Sequence, residues 1–408
     1  MYKILQDKMA GIKGEAIDFA QQLVQTGSQS LDESRVAGLV ETAMRAQGFY
    51  KVFRDEFGNV IGLVSGVRAA PTILLNCHMD TVAPSEKEAQ PLSGKIENGR
   101  LYGLGAADCK GGLAAQVFAG ALLKRSLLPL KGNLVIAATT AEENGLSIGL
   151  RGLIEKTLPD LGMKPDFAML GEPTGLGLYY GHDGWMEMDV RVEGLNPFNV
   201  DDAVNAIVSD LGRGGAANGG EGPYREMLKV SGLDFRNRKG NRSASLRVSR
   251  RMEQEEEIGA VVGQVQENMA KLANSAGGQV AVEVAVRQEK QKLYTGKVDV
   301  VHHVTRAWAT DPFHPMIDRA RQALEAAGCA VKPGKWQLGR LGMGTAGSIL
   351  MNEFKIPTIG YGPGLESQSH VAGEWVELDK VTEAIYGSAV IAHSLVGIPV
   401  CGWTSDEI

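Results

Sequence analysis

Seven acidic and imidazole side chains stand out for the chemistry they could perform if the fold gathered them. TILLNCHMD carries His78 and Asp80, GRLYGLGAADCKGG carries Asp108, NLVIAATTAEEN carries Glu142 and Glu143, DFAMLGEP carries Glu172, and His370 lies in a loop after GYGPG. Carboxylates brought together repel one another and raise each other's pKa unless cations neutralise them. Metal ions are the simplest resolution. A mixed imidazole and carboxylate set suits Zn²⁺, with Mn²⁺ or Co²⁺ as alternatives, and disfavours Ca²⁺. Two such ions ~3.5–4 Å apart share a bridging carboxylate and a bridging water, which they acidify into a nucleophile. Taken singly, each motif has a plainer reading: HxD is a common hydrogen-bonded strand end, a Glu-Glu pair is usually solvated, and Asp108 could cap the helix that follows it. Joint placement is what gives the set its meaning.

The elements around these residues supply that placement. TILLNC, NLVIAATT and DFAMLG are short, apolar, β-rich runs, so His78, the Glu142–Glu143 pair and Glu172 fall at or just beyond strand ends, and His78 and Asp80, two apart, point the same way in an extended chain. Residues 15–26 and 33–47 read as amphipathic helices, the second with start signals at Ser30, Asp32 and Glu33. FRDEFGNVIGLVSG reads as a hairpin turning at Phe57-Gly58-Asn59, and GGLAAQVFAGALLKRSLL as a helix. The alternation predicts an α/β domain with a mainly parallel sheet and helices on both faces. Open sheets of this kind bind ligands at the carboxyl ends of their strands.

At Gly184 the pattern changes. A strand (WMEMDVRVEG), a helix (VDDAVNAIVSDLG, opened by Asp201 and Asp202), two strands (REMLKVSGLDF, SASLRVSRRM), a long helix starting in EQEEEIGAVV and a strand (QVAVEVAVRQ) give the ferredoxin-like order βαββαβ. Residues 184–297 are therefore expected to form an inserted domain, and residues 1–183 and 298–408 a discontinuous metal-binding domain. The later part resumes the α/β style with PMIDRARQALEAAG, FKIPTIGYGPG and VTEAIYGSAVIAHSL. GRGGAANGGEG reads as a surface loop of the insert.

Composition sets the outer limits. With 408 residues and 44% hydrophobic content, two cored domains are expected. A formal charge of −6 offers no basic footprint for nucleic acid or an anionic membrane, which leaves a small-molecule substrate as the expected partner. No apolar run reaches the ~20 residues of a membrane span, and the N-terminal MYKILQDKMAGIKGEAIDF has no signal-peptide core, so a cytoplasmic protein is expected. Cys77, Cys109, Cys329 and Cys401 show no CxxC spacing and read as reduced thiols, with Cys77 and Cys109 as small buried hydrophobes.

On CHMDTV, GRLYGLGAADCKGGLAA, TTAEEN, GEPT and IGYGPGLESQSHVAGEW, in this order and spacing, the chain resembles the M20 family of metallopeptidases and deacylases, which includes acetylornithine deacetylase, succinyl-diaminopimelate desuccinylase and carboxypeptidase G. GYGPG and the Arg pair in SASLRVSRRM are most similar to uncharacterised hydrolases of that family grouped with purine and selenium metabolism. The resemblance implies two divalent ions, with Asp108 bridging them, His78 and Glu172 completing one site, and Glu143 and His370 the other. It implies that Asp80 hydrogen-bonds and orients His78, that Glu142 is the general base, and that the insert is a lid through which two copies dimerise. The implied activity is hydrolysis of an amide bond in a small N-acyl amino acid or related compound. An exopeptidase or dipeptidase using the same chemistry is the alternative, and a non-catalytic metal-binding homologue a third.

The lid departs from the family pattern. Where the family carries a histidine that steadies the oxyanion, this chain reads EGLNPFNVDDAVNAI, with Asn196 or Phe198 in its place and Asn196 or Asn199 as substitute donors. Arg250, beside Arg251 on a lid strand, is the counterpart of a family arginine that grips a substrate carboxylate. His182, His302, His303, His314 and His393 match no family role and read as structural or exposed.

Overall fold

A computed structural model describes residues 1–86, 89–144, 146–212, 228–238, 241–276, 279–331 and 343–398. Helices α1 (Tyr2–Met9), α2 (Lys13–Gln25) and α3 (Ser34–Ala46) precede a hairpin, β1 (Lys51–Arg54) and β2 (Val60–Val64), and then β3 (Thr72–His78), α4 (Gly111–Arg125), β4 (Asn133–Thr139) and β5 (Phe167–Leu170). The insert runs β6 (Gly184–Gly194), α5 (Pro197–Gly212), β7 (Leu228–Arg238), β8 (Asn241–Met252), α6 (Ile258–Ser275) and β9 (Ala281–Val286). A second hairpin, β10 (Gln288–Lys292) and β11 (Val298–His302), leads back to α7 (Pro315–Ala326), β12 (Thr358–Gly360) and α8 (Leu378–Val396).

The central sheet has the order β1-β2-β4-β3-β5-β12. Strand β3 is parallel to β4 and β5, and β12 is parallel to β5, while the β1–β2 hairpin adds an antiparallel edge. Every residue of β3 and β4 is buried because both faces are covered. Ile73, Leu75 and Cys77 of β3, with Leu134, Ile136 and Ala138 of β4, pack against α2, α3, α4 and α8. Their alternates Leu74, Val135 and Ala137 pack on the other face against Leu150, Leu153, Leu158 and Leu350. A register slip of one residue would exchange these two sets, so the pattern fixes which face of the sheet each side chain takes. Helix α4 is buried from Gly111 to Leu123, which explains why its sequence is apolar all round rather than along one stripe.

The insert forms its own sheet in the order β7-β8-β6-β9, all antiparallel, which is the ferredoxin-like arrangement. Met186, Met188, Val190 and Val192 face α5 and α6 through Val204, Ile207, Val261 and Val265, while Asp189, Arg191 and Glu193 are exposed on the opposite face. Helix α5 begins at Pro197, ahead of Asp201 and Asp202, because the Asn196 side-chain oxygen accepts the Phe198 N–H (3.0 Å) and Asp201 instead pairs with Arg242 (2.6 Å). Helix α6 begins at Ile258, beyond the acidic run, since Glu257 is extended. GRGGAANGGEG falls almost wholly outside the described residues.

The β10–β11 hairpin turns where the boundary at 297/298 was drawn, and it packs on the central domain. Leu293 and Val301 bury against Phe57, Ala141 and Leu146, and the Tyr294 hydroxyl donates to the Gly58 carbonyl (2.7 Å). Among the described residues no helix is long and apolar enough to cross a membrane.

Candidate metal centre

His78 ends β3 with its side chain buried, and its Nδ1 lies 2.8 Å from the main-chain carbonyl oxygen of Asp80. A carbonyl only accepts, so Nδ1 carries the hydrogen and the Nε2 lone pair faces Asp108 Oδ1 at 3.2 Å. A lone pair that close to a carboxylate repels it unless a proton or a metal ion sits between them. The Asp80 side chain was expected to hold His78, but its carboxylate lies 3.6 Å from Nδ1. Its oxygens are committed elsewhere: they accept from Ser30 Oγ (2.6 Å) and from the backbone N–H groups of Glu142 (3.1 Å) and Glu143 (2.9 Å). Asp80 thus orients His78 through its backbone and braces the glutamate turn with its side chain.

That turn follows β4 and needs the bracing, because Ala141 adopts φ +55°, a left-handed conformation that costs a non-glycine residue energy. Buried Glu33 secures the other side. Its Oε1 accepts from the N–H groups of Leu31 (2.9 Å) and Ala141 (3.0 Å). The Asp108 loop is organised in the same way by buried Glu374, whose carboxylate accepts from the N–H groups of Gly105 (2.8 Å), Ala107 (2.7 Å) and Asp108 (3.0 Å). Glu172 follows β5, and α4 can close on it because Gly112 has no side chain: a Cβ there would stand 1.8 Å from the Gly171 carbonyl oxygen.

Two groups of donors result. The ligand atoms of His78, Asp108, Cys109 and Glu172 lie within 4.8 Å of one another, and so do those of Asp108, Glu143 and His370. Asp108 is common to both. Its Oδ1 faces His78, and its Oδ2 lies 3.5 Å from His370 Nε2, which also meets Glu143 Oε2 at 2.7 Å. His370 reaches inward from a left-handed position (φ +59°) on a loop that leaves it partly exposed.

Protonation follows the crowding. Burial pushes Glu172 up to about 8, reinforced by Asp108, Glu143 and Asp80 and opposed by His78. Burial drives Glu142 well above the carboxylate range, with Glu172, Glu143 and Asp80 adding to it and His78 opposing. Burial and the Asp108 charge also raise Glu143, against its bond to His370. The Glu143 hydrogen bond carries His370 up to about 9 in spite of burial. For His78, burial disfavours the charged ring, yet Cys109, Asp108 and Asp80 lift it well above the ordinary histidine value. Burial is the largest cause for the three glutamates, and the crowding of carboxylates adds to it, while neighbouring acidic groups raise the two histidines.

Divalent metal ions fit this site. Asp108 Oδ2 and Glu143 Oε1 are buried and accept no hydrogen bond, which is costly for carboxylate oxygens unless a cation takes their lone pairs. Imidazole nitrogens and carboxylate oxygens are suitable donors for such a cation.

The centre opens into a cavity of about 820 Å³ lined by Asp108, Glu142, Glu143 and His370 on one side. Glu187, Arg287, Glu289 and His303 line the same cavity without belonging to any motif, and His303, which reads from sequence as structural or exposed, borders the open space. Arg287 there donates to Glu187 (2.5 Å) and Glu289 (2.7 Å), and His303 meets Glu289 at 3.1 Å. Arg250, Asn196 and Asn199 do not line this cavity. Arg250 is buried and forms a two-pronged pair with Glu256 (2.7 and 3.2 Å), so its guanidinium is already engaged. Asn196 is exposed and caps α5, and Phe198 is exposed beside it. Cys77 and Cys109 are buried free thiols, but Cys109 also stands in a donor group, which its place beside Asp108 could have signalled.

Known proteins give the same picture. The uncharacterized protein YgeY of Escherichia coli strain K12 is 25% identical over 399 residues, spanning 91% of this chain and 92% of that one. The succinyl-diaminopimelate desuccinylase of Gluconacetobacter diazotrophicus is 29% identical over 246 residues, 55% of this chain and 63% of that one. The YXEP protein of Bacillus subtilis, described as a dinuclear metal-binding peptidase, shares the fold with a TM-score of 0.66 at 13% identity, over 95% of this chain and 100% of that one. The sequence profile of peptidase family M20/M25/M40 matches residues 74–393, well over half of the chain, and the chain therefore belongs to that family.

Proposed function

We propose that this protein is a dinuclear zinc hydrolase that cleaves the amide bond of a small N-acyl amino acid or related compound. The observation that carries the reading is the sharing of one buried carboxylate, Asp108, between two groups of donors. His78 and Glu172 would hold one ion with it, and Glu143 and His370 the other. Bound there, the ions would supply Lewis-acid polarisation of the scissile carbonyl and acidify water.

The chain's own residues account for the rest. Glu142 lines the cavity beside Asp108, Glu143 and His370, and burial makes its carboxylate a strong proton acceptor. It takes the proton from the attacking water and returns it to the leaving nitrogen. Asp80 and Glu33 hold the turn that aims Glu142, and Glu374 holds the loop that aims Asp108. The desuccinylase relative supports a deacylase. A homodimer formed through the insert is part of the same proposal, and a sizing column reads it directly.

The test is a panel of N-acyl amino acids and dipeptides, offered to protein stripped with a chelator and reloaded with Zn²⁺, Mn²⁺ or Co²⁺. Loaded protein should hydrolyse at least one N-acyl amino acid, and Glu142→Gln should lower kcat by ~10²–10⁴ while leaving metal content unchanged. Turnover of dipeptides alone would make the protein a peptidase. No turnover of any substrate by loaded protein would end the hydrolase reading.

A further inference from the structure

We propose that Glu187 and Glu289, held in place by Arg287 and His303, bind an ammonium group of the substrate, so that the amide cleaved belongs to a compound carrying a positive charge near the scissile bond. The inference rests on the hydrolase reading above and deepens it by naming the charge of the substrate.

Three backbone hydrogen bonds assemble the group. The Glu187 N–H donates to the His303 carbonyl, the Arg287 N–H to the Glu187 carbonyl and the His303 N–H to the Arg287 carbonyl, each at 2.9 Å. Side chains two apart on a strand share a face. Because Met186 and Met188 face α5 and α6, Trp185 and Glu187 take the other face of β6, and both line the cavity. Arg287 donates to Oε2 of Glu187 (2.5 Å) and to Oε2 of Glu289 (2.7 Å). His303 Nε2 meets the same Glu289 oxygen at 3.1 Å, and its Nδ1 stands 3.5 Å from Glu187 Oε2. All these contacts fall on Oε2, and among the described residues no donor pairs with Oε1 of either glutamate.

The charge balance selects a cation. Burial and the Arg287 charge hold His303 below the ordinary histidine value in spite of Glu187 and Glu289, so its ring is neutral. Two carboxylates then stand against one guanidinium, and one negative charge is left over. Glu289 is the open member, with 43% of its side chain exposed. Arg287 is the only Lys or Arg among the described residues that line the cavity, and glutamates hold both its prongs, so an arriving carboxylate would meet two others there. An ammonium group carries three donors and no acceptor, which suits carboxylate oxygens that lack a donor. Trp185 is a separate indication of the same sign, since the face of an indole ring attracts cations. Asp108, Glu142 and Glu143 also line the cavity, but the hydrolase reading commits them to the ions and to the proton, which leaves Glu187 and Glu289 for the substrate. The same chemistry serves the side-chain amine of an N-acylated basic amino acid and the α-ammonium of a dipeptide.

The experiment uses the full chain loaded with Zn²⁺ and reads kcat/KM within two matched pairs. Nα-acetyl-lysine is set against Nα-acetyl-norleucine, which lacks only the side-chain ammonium, and Ala-Ala against N-acetyl-Ala-Ala, which lacks the α-ammonium, with cleavage of the Ala–Ala bond followed in both. The pair that discriminates tells which source of ammonium is bound. In that pair the charged member should be favoured by about 10–100-fold, the worth of a hydrogen bond to a charged group. Glu289→Gln and Glu187→Gln keep the shape and remove the charge, and each should lower the preference by about tenfold. The preference is a ratio within one protein, so partial loss of folded enzyme in a variant cancels from it. Equal rates within both pairs, a preference for the neutral members, or a preference that both Gln substitutions leave intact overturns the ammonium assignment while the hydrolase reading stands. Turnover of other N-acyl amino acids with neither ammonium compound cleaved does the same. Loaded protein that cleaves nothing overturns both.

Discussion

Acidification should destabilise this protein through His182, a residue that belongs to neither donor group. Its ring is fully buried, with Nδ1 donating to the Asp183 carbonyl oxygen and Nε2 accepting the Thr345 N–H at 2.8 Å, and it meets the edge of Trp308 at a ring separation of 5.6 Å. Both nitrogens are occupied by the neutral ring, and burial lowers its pKa from 6.5 to about 4. The sign follows from proton binding: below pH 6.5 the unfolded chain takes up a proton that the folded chain refuses, so stability is lost as the pH falls from 6.5 towards 4. At about 1.4 kcal/mol per pKa unit the full loss is about 3 kcal/mol, of which about 2 kcal/mol has gone by pH 5. His393, also lowered to about 4 by burial, adds a second contribution of the same sign. The assay is urea unfolding at pH 7 and pH 5, followed by tryptophan fluorescence, in the wild type and in His182→Gln, whose side-chain oxygen can still accept the Thr345 N–H. The variant should start lower at pH 7, by about 1–3 kcal/mol, for the lost contact to Asp183. It should then lose about 2 kcal/mol less than the wild type on going to pH 5. Equal losses in the two proteins, or a wild type more stable at pH 5, would refute the reasoning.

Three further outcomes follow from the site. Asp80→Asn replaces one of two carboxylate oxygens that together accept from Ser30, Glu142 and Glu143, so kcat should fall by ~10–100-fold with the substrate panel, and unchanged turnover would contradict the bracing role. Gly112→Ala forces a methyl group towards the Gly171 carbonyl oxygen beside Glu172. It should cost about 1–3 kcal/mol in urea unfolding and lower the metal content, whereas a variant of wild-type stability that keeps its metal would show the approach to be slack. Chelation should lower the melting temperature and zinc should restore it, with about 2.7 kcal/mol gained at a free ion concentration a hundredfold above Kd; a melting curve indifferent to zinc would argue that the buried carboxylates are neutralised by protons alone.

The strands were legible in the sequence because burial on both faces leaves an apolar, β-rich signature, and TILLNC, NLVIAATT and DFAMLG all became parallel strands of one sheet. The insert was legible for a related reason: WMEMDVRVEG alternates because one face of its sheet meets helices and the other meets water. Helix starts were read less well. Asp201 and the run of glutamates looked like start signals, but Asn196 caps one helix and the acidic run lies outside the other, since only the folded backbone decides which polar side chain finds an open N–H.

By itself, then, the sequence determined the sheet, the insert and the placing of His78, the Glu142–Glu143 pair and Glu172 at strand ends, because these depend on periodicities of a few residues. Tertiary structure decided what those ends share. Glu374 and Gly105 are 269 positions apart, and no local pattern announces that a carboxylate so distant holds the Asp108 loop. Glu33 looked like a helix signal and proved to brace the glutamate turn, Arg250 looked available and is held by Glu256, and Arg287, in the link between β9 and the β10–β11 hairpin, meets Glu187 of β6 beside the cavity with no motif to announce it. Cys109 entered a donor group for the same reason. Polar side chains acquire their roles from the partners that packing brings within about 3 Å, and those partners are set by the path of the whole chain.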